Sequence, residues 1–267
     1  MKLGVIRVPS GIEAADPGVA AELGRIVEAS GCESLWTVEH VVVPDRYDSV
    51  YPFHPSGKMR LDAADEIPDP MTWMTWLSAR TTTLRLGVGV LILPLRNPVV
   101  LAKQLATMDR LSGGRIILGA GLGWMSEEYD AIGVPFERRG HRADEYLGAM
   151  RALWSTSPAS FHGDTVDFTD IHCHPQPRSG RVPIVIGGIS RAAVRRAVRF
   201  GDGMHLLRTP LEEVHEVTEM LAEECARVDR DPGEIELTMI APRSGDELSA
   251  MAELGVGRVI LSLWEGD

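Results

Sequence analysis

Glu39-His40 closes the apolar run Ser34–Val38 and offers the side chain best suited to moving a proton. An imidazole ordinarily titrates near neutrality, so a histidine at a strand end can exchange a proton with a substrate hydroxyl or carbonyl. It could equally just satisfy a backbone carbonyl. Two further runs end in residues that matter for shape. Leu86–Pro98, LGVGVLILPLRNP, carries Gly89, Val90 and Leu91; Ile116–Trp124, IILGAGLGW, carries Gly121 and Gly123. Glycines at a strand end let backbone lie flat beside a ligand, or simply make a turn. The GAGLGW run fails as a dinucleotide fingerprint, because Trp124 replaces the glycine needed for close helix packing. Gly187-Gly188-Ile189-Ser190 passes from a strand into a helix whose first amides suit a phosphate, with Arg191, Arg195 and Arg196 nearby. A serine-capped helix start needs no ligand, however. His172, Cys173 and His174 are neighbours in an extended run and point to opposite sides, so no metal site is expected.

The elements that must position these residues alternate. Apolar runs at Lys2–Val8, Ser34–Val38, Leu84–Leu93, Arg115–Gly119, Pro183–Gly187, Met204–Leu207, Ile235–Ala241 and Val259–Leu263 read as eight strands, with seven main helices between them. Asp16-Pro17 and Thr209-Pro210 are helix starts with proline at the first position. Gly31, Gly113, Gly201 and Gly255 end helices that return to a strand within a few residues, as a right-handed parallel β/α unit requires. Eight such strands favour one closed (β/α)8 TIM barrel over 1–267, with chemistry at the C-terminal ends of its strands. The final helix is expected to be missing. The segment 44–70 has five prolines and no periodicity, and its Tyr47, Tyr51, Phe53 and His54 suggest a lid over a pocket. An insertion hairpin is expected over about 158–178, turning at Gly163-Asp164.

The totals exclude several classes. With 27 basic and 38 acidic residues the net charge is −11, which argues against a nucleic-acid or anionic-membrane partner. The apolar runs are too short to span a bilayer, and MKLGVIRVPSG lacks the features of a signal peptide. Cys32, Cys173 and Cys225 are odd in number and far apart, as expected of reduced thiols in the cytoplasm.

SLWTVEHVVVP, LRLGVGVLILPLRNPVVLAKQLATMDRLSGGRIILGAGLGW, EEYDAIGVPFERRGHRADE and VPIVIGGISRAAVRRAVRFGDG together resemble the bacterial luciferase-like monooxygenase superfamily. The likeness is greatest to its branch using coenzyme F420, a deazaflavin, and the RNPVVLAKQLATMDRLSGGR block is its most specific part. The resemblance implies a luciferase-like (β/α)8 barrel, usually a homodimer, that binds F420 or FMN at its C-terminal mouth. It implies a non-proline cis peptide bulge at Gly89-Val90-Leu91 behind the ring, an active-site acid–histidine pair at Glu39-His40, and a cofactor phosphate near Gly187-Gly188. The activity implied is hydride transfer between F420 and a small organic substrate. The alternatives are an FMN-dependent monooxygenase and a non-catalytic flavin-binding relative. Trp124 stands where some deazaflavin dehydrogenases carry an acid, which argues against their sugar-phosphate or alcohol substrates.

Overall fold

A computed structural model describes residues 1–242 and 244–263. Strand β1 (Lys2–Ile6) leads through α1 (Ile12–Ala15) into α2 (Pro17–Ala29), which Asp16 caps by accepting from the Gly18 and Val19 amides at 2.7 and 2.9 Å. Then follow β2 (Ser34–Thr37), α3 (Pro70–Ser78), β3 (Arg85–Ile92), α4 (Pro98–Ser112), β4 (Ile116–Gly121), α5 (Ser126–Ile132) and α6 (Arg139–Ser155). The hairpin expected around Gly163-Asp164 is β5 (Ala159–His162) with β6 (Asp167–Ile171), an antiparallel pair outside the main sheet. The chain continues as β7 (Ile184–Gly187), α7 (Arg191–Phe200), β8 (Gly203–His205), α8 (Leu211–Ala226), β9 (Glu236–Ile240), α9 (Gly245–Glu253) and β10 (Val256–Ser262).

Eight parallel strands close the barrel in the order β1-β10-β9-β8-β7-β4-β3-β2. Alternation along each strand divides the apolar side chains between two sites. Trp36, Ile117, Val185, Ile240 and Ile260 pack together inside the barrel, while Leu35, Leu86, Leu118, Ile184 and Met204 join the larger core beneath the helices. Three of the four glycine returns take the left-handed conformation, at Gly31, Gly113 and Gly255. Gly201 does not; it is extended, and a Cβ there would crowd the Ala197 backbone at 3.0 Å.

The RNP…SGGR block turns out to be joinery. Asn97 caps α4 by accepting from the Val99 and Val100 amides at 3.0 and 3.1 Å, with Pro98 at the first helical position. At the other end, Arg115 donates to the carbonyls of Ser78, Leu84 and Ser112 at 2.6 to 2.9 Å, fixing two helix ends to the start of β4. The expected absence of a helix after the last strand falls on 264–267, outside the described residues. Among the described residues no helix is long and apolar enough to cross a membrane.

Candidate active site

The register between β3 and β4 runs Val88 to Leu118 and resumes at Leu91 to Ala120, so Gly89 and Val90 together face one residue, Gly119. The Gly89-Val90 peptide is cis. This bulge turns the Val90 side chain, part-exposed, across the barrel mouth toward β4 and β7. A Cβ on Gly121 would collide with Val90 Cγ2, and one on Gly187 would lie 2.8 Å from Val90 Cγ1. The sequence reading of Gly121 and Gly123 as a low wall beside a ligand therefore needs correction. Gly121 makes room for Val90. Gly123, at φ 67°, makes room for Ile92, whose Cγ2 would lie 2.7 Å from an added Cβ. Leu91 is fully buried with its side chain in the core beneath the helices, so only its backbone can meet the mouth.

His40 follows β2 with its side chain 10 % exposed and Nδ1 3.3 Å from Glu128 Oε2. Glu128, in the first turn of α5, is almost wholly buried; its Oε1 accepts from the Val41 amide at 2.5 Å and from Val42 at 3.4 Å. One carboxylate thus fixes both the backbone after His40 and the ring itself. An acceptor on Nδ1 places the ring proton there and leaves Nε2 to exchange with a ligand. Among the described residues Nε2 has no hydrogen-bond partner.

Glu39 is not that partner. Its buried carboxylate accepts from the Ile92 amide at 2.5 Å through Oε2 and from both Nε and Nη2 of Arg96 through Oε1, and Arg96 Nη2 also reaches Asp69 at 2.7 Å. Burial, with Glu128 beside it, pushes the Glu39 carboxyl up against the pull of Arg96 and the Ile92 N–H. The acid–histidine pair implied by the resemblance is therefore split: Glu39 ties the ends of β2 and β3 together, and Glu128 serves His40. α5 spans only seven residues and has too little periodicity to be read from sequence. The run Glu127-Glu128 directly after the glycine-rich strand end was the available signal.

The lid closes on Trp124. Tyr47, Tyr51 and His40 all meet its ring edge to face, with centroids at 5.5, 5.1 and 6.1 Å. Glu127 latches the same loop, accepting from the Asp48 amide at 2.7 Å, the Ser49 amide at 3.1 Å and the Ser49 hydroxyl at 2.7 Å. Slight burial pushes the Glu127 carboxyl up, but these donors outweigh it and hold it at about 2. Two adjacent glutamates thus grip the segment that follows β2 at two points, Val41-Val42 and Asp48-Ser49.

At the other side of the mouth Gly188, at φ 111°, donates its amide to the His205 carbonyl at 3.2 Å, and Ser190 Oγ caps the Ala193 amide. Ile189 is half-buried against the core. The three arginines read as phosphate partners are already engaged. Arg191 and Arg195 pair with Glu224, and Arg196 with Asp144 at 2.5 Å. His172 and His174 stack at 5.9 Å and share the Ser157 hydroxyl, while Cys173 is buried on the other side. His141, Glu145 and Asp164 are close enough to share a cation, but Glu145 already closes the hairpin turn through the Asp164 and Thr165 amides.

The chain is similar to several known proteins. An F420-dependent glucose-6-phosphate dehydrogenase from Kineococcus radiotolerans is 31% identical over 191 residues, 70% of this chain and 51% of that protein. An FMNH2-dependent dimethylsulfone monooxygenase from Pseudomonas putida is 36% identical over 143 residues, 52% of this chain and 39% of that protein. The solved structure of an F420-dependent secondary alcohol dehydrogenase with an F420-acetone adduct superposes with a TM-score of 0.78 at 16% identity. That superposition covers 98% of this chain and 92% of the other, and at such identity it shows the fold alone. The family model for luciferase-like monooxygenases matches residues 3–260, and the chain belongs to that family.

Proposed function

We propose that the protein is an oxidoreductase that moves a hydride between coenzyme F420 and a small organic substrate, with His40 handling the accompanying proton. The observation that carries this reading is the His40 ring, held by a buried carboxylate at Nδ1 and unengaged at Nε2. Two features of the mouth support a flat ring as its ligand. Part-exposed Val90 gives an apolar seat, and Gly121 and Gly187 could not carry a Cβ without displacing it. Gly89, Val90, the Leu91 backbone and Gly187 would seat the ring, and the backbone of Gly188 and Ile189 would meet the phosphate end. When bound, the deazaflavin supplies hydride chemistry at its C5.

The chain's own residues do the rest. Val90 and the lid aromatics set the approach of the substrate and exclude water. Glu128 keeps the imidazole proton on Nδ1, so Nε2 can take up the proton that the substrate loses as the hydride leaves it and return it in reverse. A second reading, an FMN-dependent monooxygenase, is favoured by the latched aromatic lid, which would shield an oxygen-reactive cofactor.

Optical titration with F420 and with FMN separates the two. Saturable binding of F420 is expected; FMN alone would favour the second reading, and binding of neither would overturn both. His40→Ala should lower turnover by about 10²–10⁴-fold while leaving cofactor affinity unchanged. Turnover that survives the substitution would remove His40 from its role.

A further inference from the structure

The end of β8 carries a polar group that the function above does not use. His205 is fully buried, and among the described residues its Nε2 has no hydrogen-bond partner. Its other ring nitrogen is engaged: Nδ1 faces the Leu207 amide at 3.1 Å and must accept from it. A nitrogen that accepts carries no proton, so in the neutral ring Nε2 bears the hydrogen. Burial, with Arg258 nearby, lowers the His205 pKa to about 4, which keeps the ring neutral in ordinary conditions. Buried donors almost always find a partner, and one that does not calls for an explanation.

Its surroundings point to the mouth. A Cβ built on Gly89 would lie 3.0 Å from both Nε2 and Cδ2 of His205, so this edge of the ring abuts the bulge directly. Trp36 packs against the same ring, edge to face at 5.9 Å, and its Cε3 would lie 3.4 Å from the same added Cβ. His205 pairs in register with Gly187, which is itself part-exposed at the mouth and lies against Val90. The imidazole therefore occupies the uppermost inward layer of the barrel, with the Gly89–Val90 segment as its roof.

We propose that His205 is a positioning residue for the cofactor ring, its Nε2–H dipole held beneath the Gly89–Val90 segment that backs the mouth. This rests on the proposed function, since it needs a cofactor seated on Val90. An uncompensated donor in a water-excluded layer acts more strongly on a polar ring above it than the same group in water. The ring of His205 also fixes the height of that floor, because Gly89 has no side chain to do so.

Two substitutions separate the donor from the tether. His205→Asn keeps an acceptor where Nδ1 meets the Leu207 amide but leaves the Nε2 position empty, its own NH2 lying back at the Cδ2 position; His205→Gln keeps a donor at the Nε2 position. Cofactor affinity and the absorption band of the bound cofactor are read for both, alongside thermal unfolding. The expected result is that His205→Asn stays folded, binds the cofactor about tenfold more weakly and shifts its band, while His205→Gln restores both. Wild-type affinity and spectrum in His205→Asn would overturn the inference, as would failure of His205→Gln to improve on His205→Asn in folded protein. Should neither variant fold, nitrogen-15 spectra of the wild-type histidines during cofactor titration decide. A protonated Nε2 whose resonance moves on binding supports the assignment, and an unchanged resonance overturns it. A wild-type protein that binds neither F420 nor FMN would instead bring down the proposed function beneath it.

Discussion

His40 and Glu39 are neighbours in sequence but belong to different circuits. The Glu39 carboxylate is spent on Arg96 and the Ile92 amide, whereas the His40 ring is governed from Glu128, 88 residues away. Substitution should separate the two. Glu128→Gln retains an acceptor for the Val41 amide but loses the charge behind Nδ1, so kcat should fall about 10–100-fold with KM little changed. A wild-type kcat would show that the carboxylate only shapes the loop. Glu39→Gln removes one charge of a buried pair, and the expected result is a loss of about 3 kcal/mol in urea unfolding. Stability within error of wild type would show the pair to be dispensable. His40 was legible in the sequence because a strand-end histidine stands out in an apolar run. Glu128 was not, because its role depends on a contact between a short helix and a distant loop.

Among the elements, the lid makes the sharpest claim. Its composition, aromatic residues among prolines, reads as a lid over a pocket, and Tyr47 and Tyr51 pack on Trp124. The Asp48-Ser49 stretch of it is held by one carboxylate on α5, that of Glu127. The Glu127 pKa is depressed to about 2 in the folded protein against 4.5 ordinarily, so its contribution is present above about pH 4.5. That contribution is lost as the pH falls from 4.5 toward 2. Hydrogen exchange at the Asp48 and Ser49 amides should accordingly gain an additional opening component in that window, relative to β3 amides in the same sample. Glu127→Gln should open the same amides at neutral pH and flatten the difference. Identical exchange in the variant at pH 7 would mean that the aromatic contacts alone close the lid. The RNP…SGGR block carries a related lesson: it is the most specific part of the resemblance, yet its asparagine, proline and glycine cap one helix and its terminal arginine pins the ends of two. Spacing reveals that such residues matter together, but not whether a ligand or a backbone is their partner.

At the scale of the whole barrel, the mouth and the bottom do different work. The strand count followed from the apolar runs and the direction of pairing from the short glycine returns, whereas the division into inward and outward faces did not, because each strand is buried on both. A charged chain at the N-terminal end of the barrel was hidden, since its members sit singly within or beside those runs. Arg258 is almost fully buried and reaches Glu33 at 3.1 Å and Glu236 at 2.8 Å; Glu33 also meets Arg85 at 3.5 Å, and Glu236 meets Lys2. Five segments around the closure, from β3 through β10 and β9 to β1, are thereby joined by alternating charge. Burial pushes the Glu33 carboxyl up, but Arg258 outweighs it and holds it below the usual range. Removing the central cation leaves two carboxylates facing each other in a confined place, so Arg258→Met should cost about 3–5 kcal/mol in urea unfolding. Because conservation of stability belongs to the bottom of such a barrel and chemistry to its top, the fraction still folded should bind cofactor as the wild type does. A variant of unchanged stability would show that the charges merely coexist. One that folds fully but loses the cofactor would mean that the polar layer formed by Arg258, Trp36 and His205 transmits the state of the bottom to the floor of the mouth.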